Sequence, residues 1–509
     1  NIQLYSRKHG DLERDYNRFL LEPGYLSQGN GNYRDANQNR RSDIWFNPGV
    51  KESGLLTFFN LIQADGYNPL VLKPDNFIFQ GEAGFLNQYF SLEEARQVRK
   101  RLERPFTPGE LLSFIERNVF KGLKQFEARG QFLSQALGSS LRELSAEHGE
   151  GFWIDHWSYC LELLEAYLGV YPENLRYILL ENKEWTFFDN SEVVRPRKER
   201  YVLKSGEVFQ YHSLVNNHAK AALIKKREIF PHTLRSRNGE GEIYRTTLIV
   251  KMLSLIANKF ACLDPFGTGV EMEANKPNWY DSLNGLPGLL GSSVCEALEL
   301  KRWVIFLKNS LKNTGLNDEA ALSLPEELYE LLVGMERLSS GGLNDYIFWD
   351  KSHNLREEYL RKILLGFSGQ EQGLGVGKLK ALLANYLKKI ESGLKKAYNP
   401  KAKLYYSYFI NQAVEYTAIE ENWHSRFIKP LKFKQRPLPL FLEGIMHSLR
   451  VVKGQAYARG IFDAVRKSQL YDRKLKMYKV NAPLADMPHE IGRCRVFTPG
   501  WLENESVWL

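Results

Sequence analysis

The sequence predicts a mainly α-helical fold of helices paired around a common axis, and three observations carry that prediction. Ser91, Thr107, Ser293 and Ser323 each stand three residues before a glutamate, the arrangement in which a capping hydroxyl and a carboxylate satisfy each other's backbone N–H groups at a helix start. Apolar residues recur at three-and-four spacing through long stretches, so each such helix has one face to bury. No regular short repeat runs through the chain, and convincing strands are few.

Taken in order, the helical patterns run through 109–133, 152–171, 246–263, 293–312, 326–337, 354–365, 378–398 and 441–468. One region breaks the rhythm. From Glu184 to Tyr244 the chain is polar and basic, and Tyr201 to Tyr211 alternates around Ser205-Gly206 as a β-hairpin does. This 184–244 stretch reads as an insertion able to contact a ligand or, in a homodimer, a partner subunit. A surface elaboration without function is the other reading.

Composition bounds the rest. A chain of 509 residues with 43% apolar and 13% aromatic side chains can bury a large core. No segment approaches the roughly eighteen uncharged apolar residues of a membrane span, so no membrane partner is expected. Cys160, Cys262, Cys295 and Cys494 are far apart and form no Cys-x-x-Cys pair, which favours buried thiols in a reducing cytoplasm. The ten histidines show no metal-ligand spacing, and no metal is expected. A net charge of +9 suits an anionic ligand or ordinary solvated faces. Basic runs at 195–200, 225–227 and 388–403 are interrupted by acidic or apolar residues at helical intervals, the pattern of exposed helix faces, so no nucleic-acid partner is expected. The stretch Gly373-Leu-Gly-Val-Gly-Lys378-Leu379 fails the phosphate-loop spacing, since Gln372 replaces the first glycine and Leu379 the magnesium-binding hydroxyl; it reads as a helix-start loop. The chain starts at Asn1 without an initiator Met and stops inside an apparent helix, which suggests a piece of a longer protein.

Two polar segments carry the chemistry. Lys276 to Gly285 places Asp281 two residues after Trp279 in an amide-rich, turn-forming stretch. An acid beside an indole suits glycoside cleavage, in which a proton is given to the departing oxygen while the apolar face of a sugar rests on a ring. The other reading is a buried aromatic pair, with Asp281 capping the turn. Gly29 to Trp45 crowds guanidinium groups, carboxylates and amides beside Tyr33 and Trp45 without an apolar face. A solvated loop explains the polarity; a subsite for sugar hydroxyls explains the choice of residues, because arginine offers a flat fork of donors.

Together these segments resemble the inverting glycoside phosphorylases of the cellobiose phosphorylase kind. Arg34, Asp35, Ala36, Asn37 and Gln38 match that family's Arg-Asp-Ser-Asn-Gln-Asp-like run, with Asn39 in place of the last acid. Trp279 and Asp281 match the Trp and the catalytic Asp of its Gly-Asp-Trp-Asn-Asp-Gly-like loop, while Asn278 and Tyr280 depart from it. Asp155, His156 and Trp157 look like its Asp-His aromatic segment at the head of a helix.

The resemblance implies an (α/α)6 barrel over 1–509 with the 184–244 insertion over its mouth, an amino-terminal β-sandwich beyond this sequence, and a diverged branch acting on oligoglucans. It implies inverting phosphorolysis of β-linked gluco-oligosaccharides to α-glucose 1-phosphate. Asp281 is then the acid; Arg34, Asp35, Asn37, Gln38, Trp279, Asp155, His156 and Trp157 hold the sugar; and inorganic phosphate is the co-substrate, with no other cofactor. The family's phosphate loop has its nearest counterpart at Thr498 and Gly500. His447 is a further phosphate candidate, or a helical histidine bonded within the core, with Arg436 and Arg450 behind it. Glu503 and Glu505 burden a phosphate site but suit the base of an inverting hydrolase, the alternative on the same scaffold. A transglycosylase and a noncatalytic glycan-binding module are the remaining readings.

Overall fold

The structure, a computed structural model, describes residues 31–118, 120, 126–149, 157–273, 283, 285–419 and 427–492. The chain divides into two compact units, one of residues 1–61 and 69–149, the other of 62–68 and 150–509.

The first unit contains β1 (Gly31–Asn32), α1 (Tyr33–Arg40), α2 (Asp43–Phe46), α3 (Ser53–Asn60), β2 (Val71–Leu72), β3 (Asn76–Phe79), α4 (Leu92–Leu102), α5 (Pro108–Arg117), α6 (Phe126–Gly138), β4 (Ser140–Glu143) and β5 (Ala146–Glu147). The strands form two small antiparallel sheets, β1-β2-β5 and β3-β4. Helices α4 and α5 start where their sequences dictate. Ser91 and Thr107 accept the backbone N–H of Glu94 and Glu110, whose carboxylates take the N–H of each cap in return. Their inward faces meet a cluster built on Phe77, Phe90, Phe106 and Phe132.

The second unit contains α7 (Trp157–Val170), β6 (Glu192–Val194), β7 (Tyr201–Lys204), β8 (Glu207–Gln210), β9 (Leu214–Asn216), α8 (His218–Lys225), α9 (Leu248–Ala261), β10 (Val270–Glu271), β11 (Gly291–Ser293), α10 (Val294–Asn313), β12 (Ala321–Pro325), α11 (Glu326–Ser340), α12 (Asp345–Lys362), β13 (Glu371–Gly375), α13 (Val376–Ala397), β14 (Tyr398–Asn399), β15 (Leu404–Tyr405), β16 (Tyr408–Ala418), β17 (Ile428–Pro437), α14 (Leu442–Val451), α15 (Gln455–Lys467), β18 (Tyr471–Asp472) and β19 (Met477–Tyr478). Every residue of α9 is buried, which makes it the central helix, with α10, α11 and α12 packed against it. The largest sheet runs β10-β11-β16-β17, all antiparallel. β7 and β8 form a hairpin whose two turn residues, Ser205 and Gly206, have φ of 51° and 83°, the left-handed pair a tight hairpin turn needs. No helix among the described residues is long and apolar enough to cross a membrane.

The expectation of an (α/α)6 barrel is overturned. About 51% of the structure is helix and 19% is strand in small antiparallel sheets, and the described residues show no (α/α)6 barrel. Helical periodicity says which face of a segment is buried, but closing pairs into a ring depends on crossing angles that no single segment encodes. Strand pairing also rewrites local signals. Ser323 caps no helix; it lies in β12, where its hydroxyl donates to Glu371 Oε2 at 2.7 Å across to β13, and α11 begins only after Pro325. The glycine-rich stretch at 373 supplies the end of β13 rather than a loop. The 441–468 pattern is two helices, broken at Gly454, whose φ of 144° no helical residue adopts.

One close approach fixes α13. A Cβ on Gly393 would stand 1.6 Å from the carbonyl oxygen of Gly267. The loop bearing Gly267 cannot retreat, because Asp264 accepts bonds from the backbone N–H of Phe266, Thr268 and Gly269 and from the hydroxyls of Thr268 and Ser292. Gly393→Ala is expected to lower unfolding stability by about 3 kcal/mol, the upper end for an overpacked contact. Urea denaturation of the two proteins checks it.

Candidate functional site

The site begins with polar residues on an otherwise apolar helix. On α9, Lys251, Ser254 and Asn258 fall at i, i+3 and i+7 and share one face. That face holds the backbone of the 62–68 segment. Lys251 Nζ donates to the carbonyl oxygen of Ile62 at 3.1 Å, and Ser254 Oγ and Asn258 Nδ2 donate to that of Ala64 at 2.9 and 3.1 Å, joined by Tyr359 OH at 2.8 Å. Burial drives the Lys251 ammonium well below its usual pKa. These bonds set the place of the next residues, Asp65 and Tyr67.

Asp65 and Tyr67 line a cavity of about 570 Å3, together with Arg195, Arg200, Lys220, Glu273 and Arg356. That volume falls in the range of small-molecule sites. Phe188, Val193, Val215 and Leu234 give it an apolar wall. The 184–244 region thus supplies much of the lining, from β6, β9, the segment around Arg200 and the first turn of α8.

Buried cations around the cavity share carboxylates. Glu273 is shared by two guanidinium groups: Arg200 Nη2 donates to Oε1 at 2.9 Å and Arg356 Nη1 to Oε2 at 2.5 Å, while Tyr67 OH donates to Oε2 at 2.9 Å. Burial works to raise the carboxyl's pKa, but Arg356 and Arg200 outweigh it and hold it well below the usual glutamate range. Beside the cavity Asp189 is shared in the same way, by Lys220 at 2.8 Å and Arg227 at 2.7 Å. Four cations therefore meet Glu273 and Asp189, while Asp65, Glu199, Glu357 and Glu358 add further carboxyls to the cavity lining. Arg200 is 1% exposed, and its Nε and Nη1 have no partner among the described residues. Asp65 also lines the cavity, and one of its oxygens accepts the N–H of Tyr67 at 3.1 Å. Burial raises its pKa. The arrangement favours an anion with several oxygens, since guanidinium forks pair with such groups bidentately.

The residues expected from sequence are distributed unevenly. Asp281 and Trp279 lie outside the described residues, as do Asp155, His156, Thr498, Gly500, Glu503 and Glu505. The bracketing residues are described: Glu273 lines the cavity, and Leu283 packs in a core cluster with Tyr67. Arg34, Asn37 and Gln38 stand on α1 in the first unit, not in a loop; Arg34 and Asn37 are buried, and Gln38 is half-buried. Asp35 belongs to the same helix. Tyr33 is a core ring, its hydroxyl donating to the carbonyl oxygen of Phe58 at 2.8 Å, and Trp45 is exposed.

Trp157 is buried against Trp303 and donates to Glu296 Oε2 at 2.6 Å, which makes it a core indole rather than a cavity wall. His447 does not line the cavity either. Its Nδ1 meets Glu299 Oε1 at 2.7 Å, and although burial disfavours the charged ring, that carboxylate raises its pKa above the ordinary histidine value. Arg450 is taken by Glu162 at 2.7 Å, and Arg436 is exposed on β17.

Sequence reasoning missed the cavity residues themselves. Asp65, Arg200, Glu273 and Arg356 come from four separated segments, and each looks like an ordinary charged residue in its own. The one local signal was Glu271-Met-Glu273 directly before the Asp281 stretch. Among the described residues, two groups of side chains have metal-ligand proximity. In the first, Cys262, Glu273 and His353, the ring of His353 already meets Trp349 O and Glu271 Oε2, and Glu273 is held by its arginines, so a cation would have to displace all of them. The second is Cys295, Glu443 and His447, on α10 and α14.

Glu273 titrates below its unfolded value, so its contribution to stability is complete above about pH 4.3 and is lost as pH falls through that value towards the folded pKa. Glu273→Gln is expected to unfold with about 3–5 kcal/mol less stability at neutral pH, because two buried guanidinium groups lose their counter-charge. Its deficit should shrink as the pH drops below that value, which urea denaturation across pH 3–7 measures. No protein-family model matches this chain, and no curated protein matches it.

Proposed function

We propose that the protein cleaves β-linked gluco-oligosaccharides by inverting phosphorolysis, giving α-glucose 1-phosphate and a shortened acceptor. One observation carries the reading: buried Arg200, Lys220 and Arg356 line one cavity, and Nε and Nη1 of Arg200 have no partner among the described residues. Phosphate is the co-substrate that such a set suits, and an anionic nucleophile needs orienting cations rather than a second carboxylate. Tyr67 and the apolar wall suit the face of a sugar ring, and Gln63, Asn217 and Asn354 suit its hydroxyls. Asp281, in the stretch bracketed by Glu273 and Leu283, gives its proton to the glycosidic oxygen as the bond to the anomeric carbon breaks. Phosphate attacks that carbon from the opposite face.

Hydrolysis is the second reading, favoured by Asp65. An inverting hydrolase needs a carboxylate to draw a proton from water, and Asp65 places one in the cavity. The two are separated by incubating the protein with β-glucan oligomers, with and without phosphate. Glucose 1-phosphate formed only with phosphate is expected; sugar released at the same rate without phosphate rejects phosphorolysis. Asp281→Asn is expected to lower kcat by about 10^2 to 10^4, the span of a general acid. Arg200→Lys is expected to raise the KM for phosphate about tenfold through loss of charge-assisted bonds.

A further inference from the structure

Helices α10 and α14 face each other with matched pairs of metal-binding residue types. Cys295 and Glu299 are four residues apart on α10, Glu443 and His447 four apart on α14, so each pair shares one face of its helix. The two helices pack together. The sulfur of Cys295, a carboxylate oxygen of Glu443 and a ring nitrogen of His447 all lie within 4.8 Å of one another. Tetrahedral zinc sets its ligand atoms roughly 3.5 Å apart, so a modest contraction closes the site.

We propose that Cys295, Glu443 and His447 bind a zinc-class divalent cation that clamps α10 to α14. The donor set of thiolate, imidazole and carboxylate is that of zinc, whereas magnesium and calcium take oxygen alone. The supporting shell is in place. Glu299 holds Nδ1 of His447 at 2.7 Å, which assigns Nε2 to the cation in the carboxylate–histidine–metal pattern. Glu299 is itself held by Arg302 at 3.1 Å and Arg450 at 3.6 Å, and Tyr408 OH donates to Glu443 Oε2. Burial, then the Glu443 charge, push the Cys295 thiol well above its usual pKa, and a dication reverses both effects by stabilising the thiolate. A metal takes the thiolate and an unprotonated ring nitrogen, so affinity rises with pH.

The test is metal analysis of the whole chain purified without chelator, followed by cobalt exchange. Stoichiometric zinc and a thiolate-to-cobalt charge-transfer band are expected. The band should disappear in Cys295→Ser and persist in Cys160→Ser. Glu299→Gln, which leaves all three ligands, should weaken zinc binding about 10- to 100-fold, as loss of an outer partner does. A wild-type protein that carries no zinc, takes none up on dialysis against it, and gives no charge-transfer band overturns the proposal. So does a band that survives in Cys295→Ser. If the variants fail to fold, the wild-type spectrum and the fall in Tm on adding chelator decide the matter alone.

Discussion

The second unit depends on how α9 treats its buried polar atoms. A helix with no exposed residue must either be apolar all round or find partners for each polar side chain, because an unsatisfied buried group costs about 1–3 kcal/mol. Lys251, Ser254 and Asn258 find theirs in the backbone carbonyls of Ile62, Thr186 and Ala64. Those bonds tie two otherwise unrelated segments to the central helix, and Arg356 extends the same network by donating from Nε to Asn258 Oδ1 at 3.1 Å. The cavity's charged lining is built on this frame.

A buried charge tolerates low dielectric only when paired, and here each inner carboxylate is made to serve two cations. Glu273 serves Arg200 and Arg356, and Asp189 serves Lys220 and Arg227, with the Asp65 carboxyl acting on Lys220 and Arg356 as well. Buried guanidinium and ammonium groups that share carboxylates are suited to an anionic ligand. That sharing is the physical link between the packing of α9 and the phosphate-dependent chemistry proposed for the cavity. The facing pairs on α10 and α14 follow a similar logic at a separate place: Glu299, whose pKa falls to about 2 because His447, Arg302 and Arg450 outweigh burial, anchors a histidine beside a buried thiol.

Much of the helical content was legible. The reciprocal caps at Ser91 and Thr107 formed as their spacing dictates, and the patterns over 246–263, 293–312 and 378–398 became α9, α10 and α13 within a few residues. The run from Tyr33 to Arg40 was misleading, since it has no apolar face yet forms a helix with Arg34 and Asn37 turned inward. Histidine spacing hid the Glu443 and His447 pair because its third member, Cys295, stands on another helix. The strands β11 to β13 are short and contain glycine or serine, so their identity comes from partners far along the chain rather than from alternation.

By itself the sequence determined where helices begin, which faces they bury, that thiols stay unpaired in the described chain, and that one stretch joins an indole to a carboxyl. These are local properties, set by hydrogen-bonding groups and apolar side chains within a few turns of one another. Tertiary structure alone decided that the described helices show no (α/α)6 barrel and that Asp65, Arg200, Glu273 and Arg356 line one cavity. It alone showed which histidine nitrogen is already occupied. Those outcomes rest on contacts between residues tens to hundreds of positions apart, whose geometry is fixed only when the whole core packs.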